Sequence, residues 1–104
     1  MSRGEVWWAN LPPPAGRRPV LLLSRDAAYA VRSLVTVAPI STRIRGIPSE
    51  VPLGLDDGLP RRGVVNLDST TTIPKDCLAS RLAALRATKL VAVNAAIKYA
   101  LGLP

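Results

Sequence analysis

Two adjacent arginines, Arg17 and Arg18, precede Pro19 and a run of four apolar residues. Two hydroxyl residues, Ser41 and Thr42, follow a second apolar run further along the chain. A guanidinium can stabilise negative charge that develops on phosphoryl oxygens, and a hydroxyl can orient the reacting group. If the two apolar runs are neighbouring strands, Arg18 and Ser41 converge on one rim of the fold and could together hold a phosphodiester. In the plainer alternative, Arg18 pairs with a surface acid and Ser41 satisfies a turn.

The charge of the chain is strongly positive, with 14 lysines and arginines against 7 acids and a net charge of +7. Between residues 17 and 45 every basic residue is an arginine, and Asp26 is the only acid. The planar guanidinium grips phosphate with two parallel hydrogen bonds, which an ammonium cannot do. This balance favours nucleic acid, an acidic partner or an anionic surface as the ligand, with a merely solvated basic face as the alternative.

The residue types exclude several chemistries. The chain has no histidine, which removes Ser-His-Asp and Cys-His triads as well as histidine metal sites. Asp56 and Asp57 precede Gly58 and are typical of a turn rather than of metal ligands. The single Cys77 cannot form an internal disulfide, and its apolar surroundings favour a buried structural thiol over a nucleophile. We therefore expect no metal and no cofactor.

Length and hydropathy predict one domain over residues 1–104 that associates with another chain. Hydrophobic residues make up 48% of the sequence, more than so small a core hides easily, which favours a partner chain or a homodimer. No stretch approaches the roughly 20 apolar residues of a membrane helix, so we expect no membrane partner. The first residues lack the apolar region of a signal peptide, and the lone cysteine agrees with a cytoplasmic location.

Five to seven short strands are predicted before a single clear helix. Residues 4–9 alternate as a strand, with Val6 and Trp8 on one face and Glu5 and Trp7 on the other. Both tryptophans are expected in the core or in a dimer interface, with stacking on bases as the alternative. Residues 20–24 are apolar on both faces, which indicates a central strand. Further strands are predicted at residues 34–40, 50–55, 64–68 and 70–73.

The helical segments are fewer. Residues 25–32 could form one or two helical turns, and residues 74–80 resemble another helical turn. The last helix is predicted from Thr88 as its N-cap to Gly102 just past its end, with apolar residues at helical spacing at positions 90, 93, 97 and 101. The predicted architecture is mainly β with helices: a small, partly closed β-barrel or strongly curved sheet with a C-terminal amphipathic helix.

Four segments in this order resemble the MazF/PemK-like toxins of type II toxin–antitoxin systems: RGEVWWANL at 3–11, RRPVLLLS at 17–24, VAPISTRIRGIPSEVPL at 37–53, and the closing strands and helix from residue 63 onward. The resemblance implies a barrel related to the SH3 and CcdB folds. It also implies sequence-specific, metal-independent cleavage of single-stranded RNA, whether mRNA, rRNA or tRNA. In that family the 2′-hydroxyl attacks the adjacent phosphate, leaving a 2′,3′-cyclic phosphate and a 5′-hydroxyl.

The resemblance also assigns roles to residues. The essential arginine of the family falls on Arg18 and its essential threonine on Ser41, with Thr42 beside it as an alternative hydroxyl. The first loop, at residues 12–16, lacks the glutamate that some members place near the site, and arginine is a poor base at neutral pH, so no base is assigned. The expected RNA-binding residues are Arg17, Arg43, Arg45, Asn66 and Ser69.

The implied partners are single-stranded RNA, a second copy of the chain and an acidic antitoxin whose disordered C-terminal tail folds across the RNA groove. Two other functions stay open at this point. A gyrase-directed toxin of the CcdB type shares the fold but carries a C-terminal aromatic motif that ALGLP lacks. A catalytically decayed RNA-binding barrel would accommodate the serine at position 41.

Overall fold

The computed structural model describes all 104 residues as one antiparallel sheet with short helical connections and a C-terminal helix. Seven strands follow one another as β1 (Glu5–Asn10), β2 (Arg17–Leu22), β3 (Leu34–Ser41), β4 (Glu50–Leu53), β5 (Gly63–Asn66), β6 (Thr71–Pro74) and β7 (Leu78–Ala84). The helices are α1 (Ala28–Val31) and α2 (Ala87–Leu101), and single 3₁₀ turns occupy Leu55–Asp57, Leu67–Ser69 and Lys75–Cys77.

The sheet is curved but not closed. Its strand order is β4-β5-β3-β2-β1-β7, with β6 paired to the first half of β3. The long strand β3 therefore changes partner along its length: Leu34 to Val37 pair with β6, while Ile40 and Ser41 pair with β5. The prediction of a mainly β fold, a partly closed barrel or curved sheet with a C-terminal helix, is confirmed. The central position of β2 between β1 and β3 is confirmed as well.

Two clusters of buried residues form the core, one on each face of β2. Successive strand residues point to opposite faces, so Leu21 joins the first cluster while Val20 and Leu22 join the second. Helix α2 packs on the first cluster through Val93, which is fully buried. Because both faces of β2 are covered, its sequence is a continuous apolar run rather than an alternating one.

Three predictions at the C-terminal end need correction. Helix α2 begins at Ala87 with Arg86 in the N-cap position, so Thr88 is not the cap. Leu101 has the predicted helical spacing but is 62% exposed, so it does not belong to the core. The helical turn predicted over 74–80 is limited to one 3₁₀ turn, and the chain from Leu78 onward is strand β7, which pairs with β1. The left-handed Gly102 ends the helix as predicted, with φ at 69°.

Glu5 connects the first strand to the last. Its Oε1 accepts hydrogen bonds from Trp7 Nε1 and the Ser2 amide, both at 3.0 Å, and its Oε2 lies 3.2 Å from Arg81 Nε on β7. Burial raises the pKa of this carboxyl, but the bonds from Trp7 and Ser2, the N-terminal ammonium and Arg81 together outweigh burial and hold the pKa below its usual value. Trp7 packs against the second core cluster, as predicted.

Glu5→Gln is expected to destabilise the protein at pH 7 by up to about 1 kcal/mol, the range of partly exposed ion pairs, and by less at pH 3. A carboxyl whose pKa is lower in the folded state stabilises that state above its unfolded pKa of about 4.3, and this contribution is lost as the pH falls through the folded pKa. Urea unfolding at both pH values measures the difference. Asp76→Asn, at an exposed acid, is the control. An equal loss of unfolding free energy at pH 7 and pH 3 would contradict the lowered pKa of the Glu5 carboxyl.

Candidate functional site

A cleft of about 600 Å³ opens where β2 begins and β3 ends. Two of its residues, Ile40 and Leu59, belong to the first core cluster, so the cleft lies at the mouth of the core. The lining residues are Trp8, Arg17, Arg18, Pro19, Ile40, Ser41, Thr42, Leu59, Pro60, Arg61, Arg62 and Gly63. They come from four separate parts of the chain, which the sheet brings together.

The register between β2 and β3 explains why Arg18 and Ser41 share this cleft. The two strands are antiparallel, with Val20 opposite Pro39 and Leu21 opposite Ala38. The same register continued by two residues places Arg18 opposite Ser41. The convergence expected from the two apolar runs is therefore what the strand pairing produces, at the point where the ladder has ended and both side chains are half-buried.

The electrostatics of the cleft are one-sided. Four arginines line it and no aspartate or glutamate does. None of the four forms an ion pair: the three salt bridges in the molecule join other residues. Arg18 does not pair with a surface acid, because its Nε donates to the Ala15 carbonyl oxygen at 3.3 Å. Unpaired cations at the mouth of an apolar core concentrate positive potential and attract an anion.

The Ser41 hydroxyl both completes a turn and stays available to a ligand. Its Oγ accepts a hydrogen bond from the Arg43 amide at 3.0 Å. A hydroxyl has one donor in addition to its acceptor lone pairs, so the Ser41 O–H is free to donate into the cleft. Thr42 beside it is exposed and also lines the cleft.

The loop that follows Ser41 is held by a buried carboxylate. Glu50 is only 8% exposed, and its Oε1 accepts from the Arg45 and Gly46 amides at 2.9 and 3.0 Å. Arg45 Nη1 lies 3.9 Å from the other oxygen of Glu50, so Arg45 points to Glu50 and does not line the cleft. Arg43 is exposed on the same loop and also lies outside the cleft lining.

The structure does not bring Asn66 and Ser69 to the cleft. Gly63 begins β5 at the cleft, and Asn66 ends that strand three residues later, about 10 Å away at the usual rise per strand residue. The Asn66 side chain is engaged locally, since its Oδ1 accepts from the Asp68 amide at 2.9 Å. The contact of Asn66 and Ser69 with RNA stays a prediction.

Three residues of the cleft were not identified as site residues from the sequence. Arg61 and Arg62 follow a segment interpreted only as a turn, and that turn is confirmed, with Gly58 left-handed at φ 87°. A second pair of adjacent arginines next to a proline, here after Pro60 instead of before Pro19, was the signal available for them. Trp8, expected in the core or in a dimer interface, lies half-buried in the cleft, with the Arg17 guanidinium 4.8 Å from its ring centroid.

Other expectations concern metals, membranes and the cysteine. No three His, Cys, Asp or Glu side chains come together as a group that could share a metal ion. None of the helices combines the length and the apolar character needed to cross a bilayer. Cys77 is a free thiol that is half-buried against the second core cluster, rather than fully buried.

Nearly the whole chain is similar to a family of known proteins. A family model for the PemK-like, MazF-like toxins of type II toxin–antitoxin systems matches residues 2–101. The chain is 44% identical over 100 residues to a protein of Mycobacterium tuberculosis (strain ATCC 25618 / H37Rv) named "Probable endoribonuclease MazF5", covering 95% of this chain and 91% of that protein.

Solved structures agree in fold over nearly the full length. The Mycobacterium tuberculosis toxin MazF-mt6 superposes with a TM-score of 0.89 and 37% identity, covering 96% of this chain and 98% of its own. An endoribonuclease from a mycobacterial species, solved in complex with its cognate antitoxin, superposes with a TM-score of 0.90 and 33% identity, covering 100% and 97%.

Gly63→Ala is expected to lower the free energy of unfolding by about 1–3 kcal/mol and to move the Ser41 rim. A Cβ at this position would lie 2.6 Å from the Ser41 carbonyl oxygen, which is backbone and cannot turn away. Denaturant unfolding measures the loss. Gly54→Ala is the matched control, because its Cβ would lie 3.9 Å from its nearest neighbour, Arg62 Cγ. Equal stabilities of the two variants would refute the close approach of β3 and β5.

Glu50→Gln is expected to speed hydrogen exchange at the Arg45 and Gly46 amides by about tenfold. A carboxylate accepts a hydrogen bond roughly twice as strong as the one a neutral amide accepts, so the loop is held less firmly by glutamine. Amide exchange followed by NMR reports the two sites directly. Asp56→Asn, at an exposed acid, should leave both amides unchanged. Unaltered exchange in Glu50→Gln would mean that the carboxylate does not hold this loop.

Proposed function

This chain belongs to the PemK-like, MazF-like toxin family of type II toxin–antitoxin systems, and we propose that it is an endoribonuclease that cuts single-stranded RNA and thereby inhibits translation and growth. The observation that carries the proposal is the cleft itself. It combines four unpaired arginines, two hydroxyl side chains and no acid. Such a lining suits a phosphodiester backbone better than a neutral ligand or a cation.

The reaction proposed for this site is an internal transfer at one phosphate. The 2′-oxygen of the preceding ribose attacks phosphorus, the P–O5′ bond breaks, and the products are a 2′,3′-cyclic phosphate and a 5′-hydroxyl. The 2′-hydroxyl gives up its proton, and the leaving 5′-oxygen gains one. RNA is required because DNA has no 2′-hydroxyl. Neither a carboxylate nor an imidazole lines the cleft, so we assign no side chain as the base. Water accepts the proton of the 2′-hydroxyl in this proposal.

Arg18 and Ser41 have separate tasks in this proposal. Arg18 keeps its terminal nitrogens available, because only its Nε is bound to the Ala15 carbonyl oxygen. These nitrogens stabilise the charge that builds up on the non-bridging oxygens as phosphorus becomes five-coordinate. The Ser41 O–H donates to the same phosphate and orients it for attack. Thr42 is the alternative hydroxyl, and Arg17, Arg61 and Arg62 hold the neighbouring phosphates.

The partners proposed here follow from the same charge. An acidic antitoxin with a disordered C-terminal tail would compete with RNA for the cleft arginines. The mycobacterial relative solved in complex with its cognate antitoxin supports an antitoxin as partner. We also propose a homodimer and a cytoplasmic location, where RNA substrates are available. The relatives described above are named as endoribonucleases or as MazF toxins, which favours neither the gyrase-directed alternative nor a decayed RNA-binding barrel.

The deciding experiment incubates purified protein with a long single-stranded RNA and excess EDTA. Wild type is expected to cleave and to leave 2′,3′-cyclic phosphate ends. Arg18→Ala is expected to lower kcat by about 10²–10³-fold, the usual cost of removing one donor to a transition-state oxyanion. Arg25→Ala, which removes an exposed arginine outside the cleft, is the matched control. Loss of cleavage in EDTA, or full activity of Arg18→Ala, would overturn the mechanism.

The same assay separates the two hydroxyls. Inactive Ser41→Ala with active Thr42→Ala assigns the role to Ser41, and the reverse result assigns it to Thr42. Binding of several RNAs without any cleavage would instead identify a binding module.

A further inference from the structure

We infer that Trp8 is a stacking platform for the base next to the scissile phosphate, and that the Arg17 guanidinium occupies this platform until RNA displaces it. The inference rests on the proposed function, because it names a subsite of the same cleft. It begins from the position of Trp8, which is half-buried and is the only aromatic residue in the lining of the cleft.

Trp8 and the proposed catalytic arginine, Arg18, line the same cleft. Trp8 on β1 lies opposite Pro19 on β2, and the next pair along the ladder, Ala9 with Arg18, points its side chains to the other face of the sheet. The two residues are thus one step apart along the strands, and the cleft at the strand ends is lined by both. In a single strand, the base of an adjoining nucleotide is the nearest planar group to a bound phosphate. A phosphate on Arg18 consequently brings a base to the level of Trp8.

The present occupant of the ring indicates what the subsite accepts. Arg17 is two residues before Pro19, on the same face of β2, and its guanidinium lies 4.8 Å from the centroid of the Trp8 ring. This guanidinium is planar and exposed, and no acid or hydrogen-bond acceptor fixes it there. The exposed ring face thus already holds one planar, π-stacking group and has room for another.

Replacement of the Arg17 guanidinium by a base favours RNA binding in two ways, one at the Trp8 ring and one at Arg17. A base stacks on an aromatic ring more strongly than an exposed guanidinium does, so the ring gains by the exchange. The released Arg17 can then neutralise a backbone phosphate. In the free protein it has no acidic partner. Stacking tolerates any base, so Trp8 contributes affinity and strand position, while the sequence is read elsewhere.

Trp7 provides an internal control for Trp8. The two indoles are neighbours in sequence, but Trp7 points to the opposite face, donates to Glu5 Oε1 and packs against the second core cluster. It does not line the cleft. Trp7→Phe should therefore keep RNA binding while making Trp8 the only indole fluorophore in the protein.

The test couples deletion of the ring to deletion of the base. The cleavage site is first mapped, and RNAs with a 2′-O-methyl group at that site, which blocks the attack, are made with each flanking base present or replaced by an abasic residue. Trp8→Leu should bind intact RNA about tenfold more weakly than wild type. At one flanking position the abasic RNA should bind wild type about tenfold more weakly, yet bind Trp8→Leu no worse than intact RNA does.

Two further measurements keep the inference testable if Trp8→Leu folds poorly. In Trp7→Phe, fluorescence of Trp8 should be quenched by intact RNA, and the abasic RNA should fail to quench it. Arg17→Met should reduce the slope of log affinity against log salt by about 0.7, the value for one phosphate contact on a single strand.

The possible failures are distinct. Cleavage by wild type without coupling between Trp8 and any flanking base, or without quenching, overturns the stacking subsite and leaves the endoribonuclease intact. Absence of RNA binding overturns both. An unchanged salt slope in Arg17→Met overturns the exchange of Arg17 onto phosphate.

Discussion

The antiparallel pairing of β2 with β3 is the constraint on which the site depends. It requires β2 to be a central strand, apolar on both faces, and it places the beginning of one strand beside the end of the other. Proline has no amide hydrogen to donate. Pro19 lies just before Val20, the first β2 residue paired with β3, so the ladder to β3 requires no hydrogen bond from Pro19. The paired segment of β2 and β3 ends at the edge of the cleft. Arg18 and Ser41 lie just beyond this segment, and the rigid backbone of the sheet still positions both.

The positive charge of the cleft is maintained because the acidic residues act elsewhere. Five of the seven acidic side chains, those of Glu5, Asp26, Glu50, Asp57 and Asp68, accept hydrogen bonds at turns, loops or strand ends. They shape backbone around the site instead of neutralising the arginines in it. Glu50 is the clearest case, since it holds the loop after Ser41 through two amides while the cleft itself contains no acid. Self-repulsion among the four arginines is tolerated since the two core clusters, not the cleft, stabilise the fold.

What the sequence could predict was whatever a short stretch of residues determines by itself. The apolar runs of β2 and β3, the turn at Gly58 and the helix ending at Gly102 are local patterns, and the structure contains each of them. Strand β7 was not predicted because its stability comes from pairing with β1, about 70 to 80 residues away along the chain, and LASRLAA has no clear period of its own. Arg61 and Arg62 were not predicted as site residues for the same reason, because only the pairing of β5 with β3 brings them to the cleft that contains Arg18.

Trp8 shows that a correct local pattern does not by itself determine what surrounds a side chain. Its alternation with Val6 correctly predicted the face of β1 on which it lies, and Val6 is buried in the first core cluster. The strand, however, is longer than the core beneath it. The face that is buried at Val6 opens into the cleft two residues later, so an aromatic residue with a core pattern becomes part of the lining. Where a strand extends beyond its core, apolar residues on the inner face are placed at a ligand site. In a cleft whose other side chains attract any polyanion, such a residue is the part that distinguishes nucleic acid from a simple phosphate, since only nucleic acid brings a base to stack on it.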